Sequence, residues 1–184
     1  LRRGNGVFKG LVMRFYNDRR KQLLESNPNA GHLGLVDLEK DFEVHIITQN
    51  VHDLHKRAGS KNVLHLHGEL KKARSSVDES LIYDIDGWEL KFGKKCAKGS
   101  QLRPYIVWFG EAVPEMENAI ALAEEADIFV TIGTSLNVYP AANLIHVVHS
   151  YIPKYLIDPG EFNLDYIKNL NIIKATAVDG MKTL

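Results

Sequence analysis

Apolar positions along this chain change period several times, and each change marks an element. Over residues 8–25, Phe8, Leu11, Val12, Phe15 and Leu23, with one face of Tyr16, recur at near-helical spacing and predict a helix. Ser26-Asn27-Pro28-Asn29 breaks it, and Leu33, Leu35, Val36 and Leu38 predict a second helix over about 30–41. A β-branched run at 44–48 then reads as a strand, followed by a short turn or helix at 52–58 that Gly59 closes. Residues 63–67 read as another strand, ended by Gly68. Strand character returns at 105–109, and a helix follows over 114–125 with Pro114 in its first turn. The apolar run 128–132 ends in Gly133-Thr134-Ser135 and leads into a helix over 141–150; strands at 154–157 and 171–174 complete the pattern.

Strands alternating with helices predict an α/β domain with a mainly parallel sheet. Right-handed crossovers then range the strand ends, and with them Gln49, His67 and Gly133, along one edge, where open sheets of this kind bind ligands. The alternation fails over 69–104. That segment is charged and loop-rich, with short apolar pieces, and predicts a small inserted lobe; the main domain is then 1–68 with 105–184.

Charge adds mainly exclusions. The 184 residues carry 23 Lys plus Arg against 23 Asp plus Glu, so nothing points to nucleic acid or an anionic membrane surface. No apolar run reaches transmembrane length, and no signal peptide is seen. Cys96 is the sole cysteine, which excludes an internal disulfide and a cysteine-cluster zinc site and makes a reduced, cytoplasmic setting the expectation. The turn at Gly133 has chemistry to offer. Glycine lets backbone approach a phosphate, Thr134 and Ser135 can donate hydrogen bonds, and a following helix N-terminus favours an anion. A capped turn with no ligand explains the same residues equally well.

Four stretches change that balance. They are Thr48-Gln49-Asn50-Val51-His52-Asp53-Leu54-His55 with Ala58-Gly59, then Leu64-His65-Leu66-His67-Gly68, then Leu102 to Glu111 (Leu-Arg-Pro-Tyr-Ile-Val-Trp-Phe-Gly-Glu), and Gly133 to Ala141 (Gly-Thr-Ser-Leu-Asn-Val-Tyr-Pro-Ala). In this order and spacing the chain, from about Phe8 to its C-terminus, resembles the sirtuins, the NAD-dependent protein lysine deacylases. The resemblance implies a Rossmann-like domain with helices on both faces of the sheet plus a small lobe, with NAD as co-substrate and acylated-lysine proteins or peptides as partners. It implies release of nicotinamide and 2′-O-acyl-ADP-ribose. It puts the catalytic histidine at His67, acting as general base on a ribose hydroxyl, a role suited to a side chain that titrates near neutral pH. Gln49 and Asn50 match the polar pair on the ribose and nicotinamide side, and Gly133, Thr134 and Ser135 the turn at the phosphates. Ile106, Val107, Phe109 and Val138 match positions lining the acyl-lysine tunnel, some of which also serve the core. Gly110 and Glu111 match the stretch whose backbone pairs with the substrate peptide.

Tyr16 and Arg19, three apart on the first helix, match a Tyr-x-x-Arg pair found in sirtuins that remove succinyl and malonyl groups. Arginine grips a carboxylate bidentately and a phenol adds a hydrogen bond. Four departures accompany the match. With one cysteine in the lobe, no zinc is expected, as in a zinc-less bacterial type; packing of Leu81, Ile82, Tyr83, Trp88, Leu90 and Phe92 is expected to hold the lobe instead. His52 stands where an aspartate is usual in the nicotinamide pocket, and a neutral imidazole accepts at one nitrogen only. Asp158 stands in a Asp-Pro-Gly segment in place of Asn-x-Glu, still able to bond a ribose hydroxyl. The family's opening strand and Gly-Ala-Gly loop have no counterpart, so a vacant central strand position with unpaired neighbouring edges is expected. Deacylation of acetyl- and succinyl- or malonyl-lysine is therefore the leading expectation. A catalytically silent NAD, ADP-ribose or acyl-peptide binding module and a mono-ADP-ribosyltransferase are the alternatives.

Overall fold

The structure, a computed structural model, describes residues 6–134 and 141–184. In chain order the elements are α1 (Gly6–Glu25), α2 (Ala30–Leu38), β1 (His45–Thr48), α3 (Leu54–Ala58), β2 (Asn62–His65), β3 (Gly68–Ser75), β4 (Ile82–Asp84) and β5 (Leu102–Ile106). After them come α4 (Met116–Glu124), β6 (Phe129–Ile132), a 3-10 turn at Ala141–Asn143, α5 (Leu144–Val147), β7 (Lys154–Ile157), β8 (Leu170–Ile173) and α6 (Ala177–Gly180). They fall into two compact units: Leu1–Asn27, Asn50–Leu54 and His67–Ala112 form one, and Pro28–Gln49, His55–Leu66 and Val113–Leu184 the other. The segment 69–104 lies wholly in the first unit, which also takes in α1 and β5.

In the first unit β3 is the middle strand of an antiparallel sheet, order β4-β3-β5. The expected strand at 63–67 closed by Gly68 is corrected here: β2 stops at His65, and Gly68 opens β3. The reason is local geometry. Gly68 has φ +82, and a Cβ at that position would collide with the Tyr105 carbonyl on the adjacent strand. Only glycine lets the chain reverse so close to β5. Helix α1 brings a second correction. The line Met13, Tyr16, Asn17, Arg20 and Leu23 faces inward, while Leu11 and Phe15 are exposed. Its inner face is centred on a polar residue, which an apolar count cannot find. Arg20 is fully buried and donates from Nε to the Leu70 carbonyl (2.6 Å) and from Nη1 to the Trp88 carbonyl (2.6 Å) and Asn17 Oδ1 (2.8 Å). Asn17 also exchanges hydrogen bonds with the Leu90 backbone N–H and carbonyl. Burial pulls the Arg20 guanidinium down to about 10, still charged at neutral pH.

The apolar part of this unit holds Met13, Ala73, Ile85, Leu90, Cys96 and Leu102, with Leu81 and Tyr83 against them. Ile82, Trp88 and Phe92, expected in this packing, are exposed. Alternation along β4 explains Ile82: Tyr83 takes the inward position, so its neighbour faces out. Trp88 contributes its carbonyl to Arg20 rather than its ring to the core.

The second unit carries the parallel strands. β1 pairs with β2 (Thr48 opposite His65), and β6, β7 and β8 form a separate parallel sheet in that order. Among the described residues, β1 and β6 each have a strand partner on one side only. Leu66, Ala119, Ala123, Leu144, Val148 and Ile152 pack together with Ile47, Leu64 and Phe129, so one apolar cluster serves both sheets. Leu156 and Ile157 on β7 are completely buried. Asn29 caps α2 by accepting from the His32 N–H, while the His32 ring returns a bond to the Asn29 N–H. The helix expected over 141–150 is shorter: Val148, with φ −63 and ψ 145, is already extended. Lys154 is buried at the start of β7, its ammonium donating to the carbonyls of His149 (2.8 Å), Ile152 (3.3 Å) and Lys168 (3.4 Å). Among the described residues no helix is long and apolar enough to cross a membrane.

Candidate functional site

Parallel pairing fixes where the candidate residues leave the sheet. β1 and β2 end in register, and the Leu66 N–H donates to the Thr48 carbonyl (2.9 Å) just beyond their last pair. Gln49 and His67 are the next residues along each chain segment, and both are half-buried; Asn50 is exposed. His67 is tied further on: its carbonyl accepts from the Val107 N–H (3.0 Å), and Gly68 allows that approach. The catalytic candidate therefore has its carbonyl held by Val107, the residue that follows β5.

His52 uses its Nδ1 to accept from the Leu54 N–H (3.4 Å) at the start of α3. A neutral ring engaged in this way carries its proton on Nε2, so that nitrogen is a donor. The aspartate usual at this position would offer acceptor oxygens. Val51, between Asn50 and His52, accepts from the Leu70 N–H (2.7 Å) and packs with Leu23, Leu70, Ile106, Leu54, Tyr16 and Trp108. That cluster brings two expected substrate residues, Tyr16 and Ile106, together, and Ile106 serves the core there. Val107 is half-buried, and Phe109 is fully exposed.

Glu111 was expected to contribute backbone. Its side chain does more: the carboxylate takes both Arg103 nitrogens (2.8 and 3.0 Å) and the Trp108 N–H (3.0 Å), with Arg74 at 3.6 Å. Arg103 beside it, with help from the Trp108 N–H and Arg74, holds this carboxyl far below the usual range, at about 2. Arg103 also donates to the Ile106 carbonyl and lies over the Trp108 ring, 3.5 Å from its centroid. The Trp108 indole N–H then donates to the Tyr16 hydroxyl (3.0 Å). Arg103 and Trp108 escaped the sequence reading because a contact eight residues apart along a strand and turn has no periodic signature.

Arg19, three residues on, is exposed; its guanidinium lies over the Phe15 ring (5.2 Å) and donates to Gln22 (3.2 Å).

The other candidates lie at the carboxyl ends of β6 and β7. Gly133 has φ +59, with nothing among the described residues where a Cβ would sit, and its N–H donates to the Ile157 carbonyl (2.9 Å). Thr134 is half-buried. Asp158 accepts from the Gly160 N–H (2.7 Å), closing a tight turn, and its own N–H donates to the Ile173 carbonyl. Ser135 and Val138 lie outside the described residues. Gly133 and Asp158 thus stand at the carboxyl ends of neighbouring parallel strands, the edge at which open sheets of this kind bind ligands. Among the described residues, no group of three His, Cys, Asp or Glu side chains is placed to hold a metal ion.

A sequence model described as the Sir2 family matches residues 6–140. An NAD-dependent protein deacylase of Bacteroides thetaiotaomicron is 52% identical over 179 residues, spanning 95% of this chain and 76% of the relative. Among solved structures, a Sir2 homologue–NAD complex superposes with a TM-score of 0.84 at 33% identity, covering 93% of this chain and 68% of the other. A Sir2 protein bound to acetylated peptide superposes with a TM-score of 0.74 at 30% identity, covering 88% and 71%.

Proposed function

The chain belongs to the Sir2 family, and from that premise we propose that it removes acyl groups from protein lysines with NAD as co-substrate. The observation that carries the reading is the position of His67, two residues past the end of β2, with its carbonyl bonded to the Val107 N–H just after β5. The bound NAD supplies an activated ribose carbon and nicotinamide as leaving group. Once the acyl oxygen has displaced nicotinamide at the ribose carbon, His67 would take a proton from the ribose hydroxyl that attacks the acyl carbon, and water would then release the free lysine and 2′-O-acyl-ADP-ribose. Gln49 and Asn50 orient the nicotinamide-side ribose by hydrogen bonds. Gly133 lets the backbone approach the phosphates and Thr134 donates to them, with Ser135 next in the chain; Asp158 accepts from an adenine-side hydroxyl. His52 offers an N–H where an acceptor is usual, which slows placement of the leaving carboxamide. Ile106, Val107 and Phe109 flank the acyl-lysine, and the Gly110–Glu111 backbone pairs with the substrate peptide. Tyr16 and Arg19 take the distal carboxylate of succinyl or malonyl groups alongside deacetylation. The lobe works without zinc, and the setting is cytoplasmic.

The test is mass spectrometry of the chain incubated with NAD and one peptide carrying acetyl-, malonyl- or succinyl-lysine, beside the His67→Ala variant. Loss of acyl groups with matching acyl-ADP-ribose and free nicotinamide is expected, and His67→Ala abolishes all three. No turnover, or ADP-ribose attached to protein, overturns the reading.

A further inference from the structure

The phenol of Tyr16 has a direction that its sequence neighbours do not set. An indole N–H only donates, so in the 3.0 Å contact with Trp108 the phenol oxygen is the acceptor. The phenol proton is then left for another partner, and a hydroxyl with its acceptor side engaged is arranged as a donor. Burial pushes the Tyr16 phenol upward, partly offset by the Trp108 hydrogen bond, so it keeps that proton at neutral pH.

Trp108 is held from several directions. Its N–H donates to Glu111 Oε2 (3.0 Å), and its carbonyl accepts from the Glu111 N–H (2.9 Å). The Arg103 guanidinium covers its ring at 3.5 Å and is itself fixed by the two-pronged bond to Glu111 and by the Ile106 carbonyl. A cation over the ring face draws electron density from the indole and sharpens its N–H as a donor. Tyr16 is also packed in the cluster with Ile106, Leu70 and Val51, so it cannot follow a displaced indole. Arg19 is braced less: it is exposed, donates to Gln22 and lies over the Phe15 ring, both on its own helix.

We propose that Trp108, locked by the Arg103–Glu111 fork, is a positioning residue that presents the Tyr16 hydroxyl as a donor to the distal carboxylate of an acidic acyl-lysine. Acyl preference is then divided between a fixed donor, Tyr16, and an adaptable cation, Arg19. The proposal rests on the reading that Tyr16 and Arg19 take an acidic acyl group.

The experiment compares one peptide carrying succinyl- or acetyl-lysine, by steady-state kinetics with NAD and by fluorescence anisotropy without it. Trp108→Phe keeps an aromatic ring under Arg103 and deletes the indole N–H. It is expected to raise KM and Kd for the succinyl peptide about three- to tenfold, the scale of a misdirected hydrogen bond to a charge. The acetyl peptide shifts by a smaller factor, and kcat falls less than KM rises. In a Tyr16→Phe background the same substitution adds little, because the two residues act as a unit. Arg103→Lys, which keeps the charge and loses the fork, moves the succinyl-to-acetyl ratio the same way and gives a second test if Trp108→Phe does not fold. Equal losses on both acyl groups, or additive losses in the double variant, overturn the proposal. Tyr16→Phe and Arg19→Met locate the failure. If they leave the ratio unchanged, the acidic-acyl reading falls and takes this proposal with it. If they move it and Trp108→Phe does not, only the role of Trp108 falls.

Discussion

The two units are held together by different physics. In the parallel-sheet unit the interior is mostly hydrocarbon, with Lys154 a buried charge at its margin: Leu156 and Ile157 are fully buried, and Leu66, Ala119, Ala123 and Leu144 pack against one another. In the α1–β3–β5 unit much of the joining is done by charged side chains. Arg20 is fully buried on three acceptors, and Arg74 and Arg103, opposite each other on adjacent strands, converge on Glu111. Apolar packing is tolerant of shape-conserving change, whereas a guanidinium bonded to fixed carbonyls is specific in direction. The second unit is thus built for bulk and the first for placement, and the first carries Tyr16, His67 and Trp108.

The sharpest way to break this comparison is at Gly68. Gly68→Ala sets a Cβ against the Tyr105 carbonyl at φ +82, so β3 and β5 separate and His67 is displaced. Deacylation is expected to fall by about a hundredfold, the scale of a misplacement on the order of 1 Å at a reacting group. Activity close to that of the parent chain, measured as kcat/KM with acetyl peptide, means that this approach does not set the position of His67.

Next in size is a matched pair of conservative changes followed by thermal unfolding. Arg20→Lys keeps a charge but cannot reach the Leu70 and Trp88 carbonyls and Asn17 together. Leaving buried acceptors unmet costs about 1–3 kcal/mol each. Leu156→Met in the other unit costs under about 1.5 kcal/mol, because volume is conserved. If the leucine change is the more damaging, the contrast between polar and apolar joining is wrong.

The smallest effect is expected at Glu111. Its carboxyl is held at about 2 against an ordinary value of 4.5. A depressed acid contributes stability that is present above its ordinary value and is lost as pH falls through its folded value. Acid unfolding between about pH 4.5 and 2 therefore draws on this group. Glu111→Gln is expected to be less stable at neutral pH and to show a shallower fall in melting temperature across that window. An unchanged slope removes Glu111 from the acid response.

Elements with a strong period were legible in advance. The helix at α1, the strands β1, β6 and β7 and the parallel character of the sheets follow from runs of β-branched residues and from helical spacing, because local sterics and one buried face set both. That Gln49 follows β1, His67 comes just after β2 and Gly133 follows β6 was legible too, because the runs that predict the strands also fix what comes next in the chain. The antiparallel sheet of β3, β4 and β5 was not. Its middle strand reads Gly-Glu-Leu-Lys-Lys-Ala-Arg-Ser, polar along most of its length, and its register is set by Gly68 against Tyr105 rather than by alternation.

Composition, period and motif order by themselves determined the α/β class, the family and the types of residue available for the chemistry. Those are short-range properties, written in neighbouring residues. Only the tertiary structure decided that α1 turns its Arg20 face inward, that Lys154 is buried on three carbonyls, and that Trp108 ties Tyr16 to Arg103 and Glu111. Each of these is a polar side chain satisfied by a partner far away in sequence or by a backbone carbonyl that any residue supplies. Burial of such groups is stable only when those partners are in place, so the chain must be folded before they can be recognised.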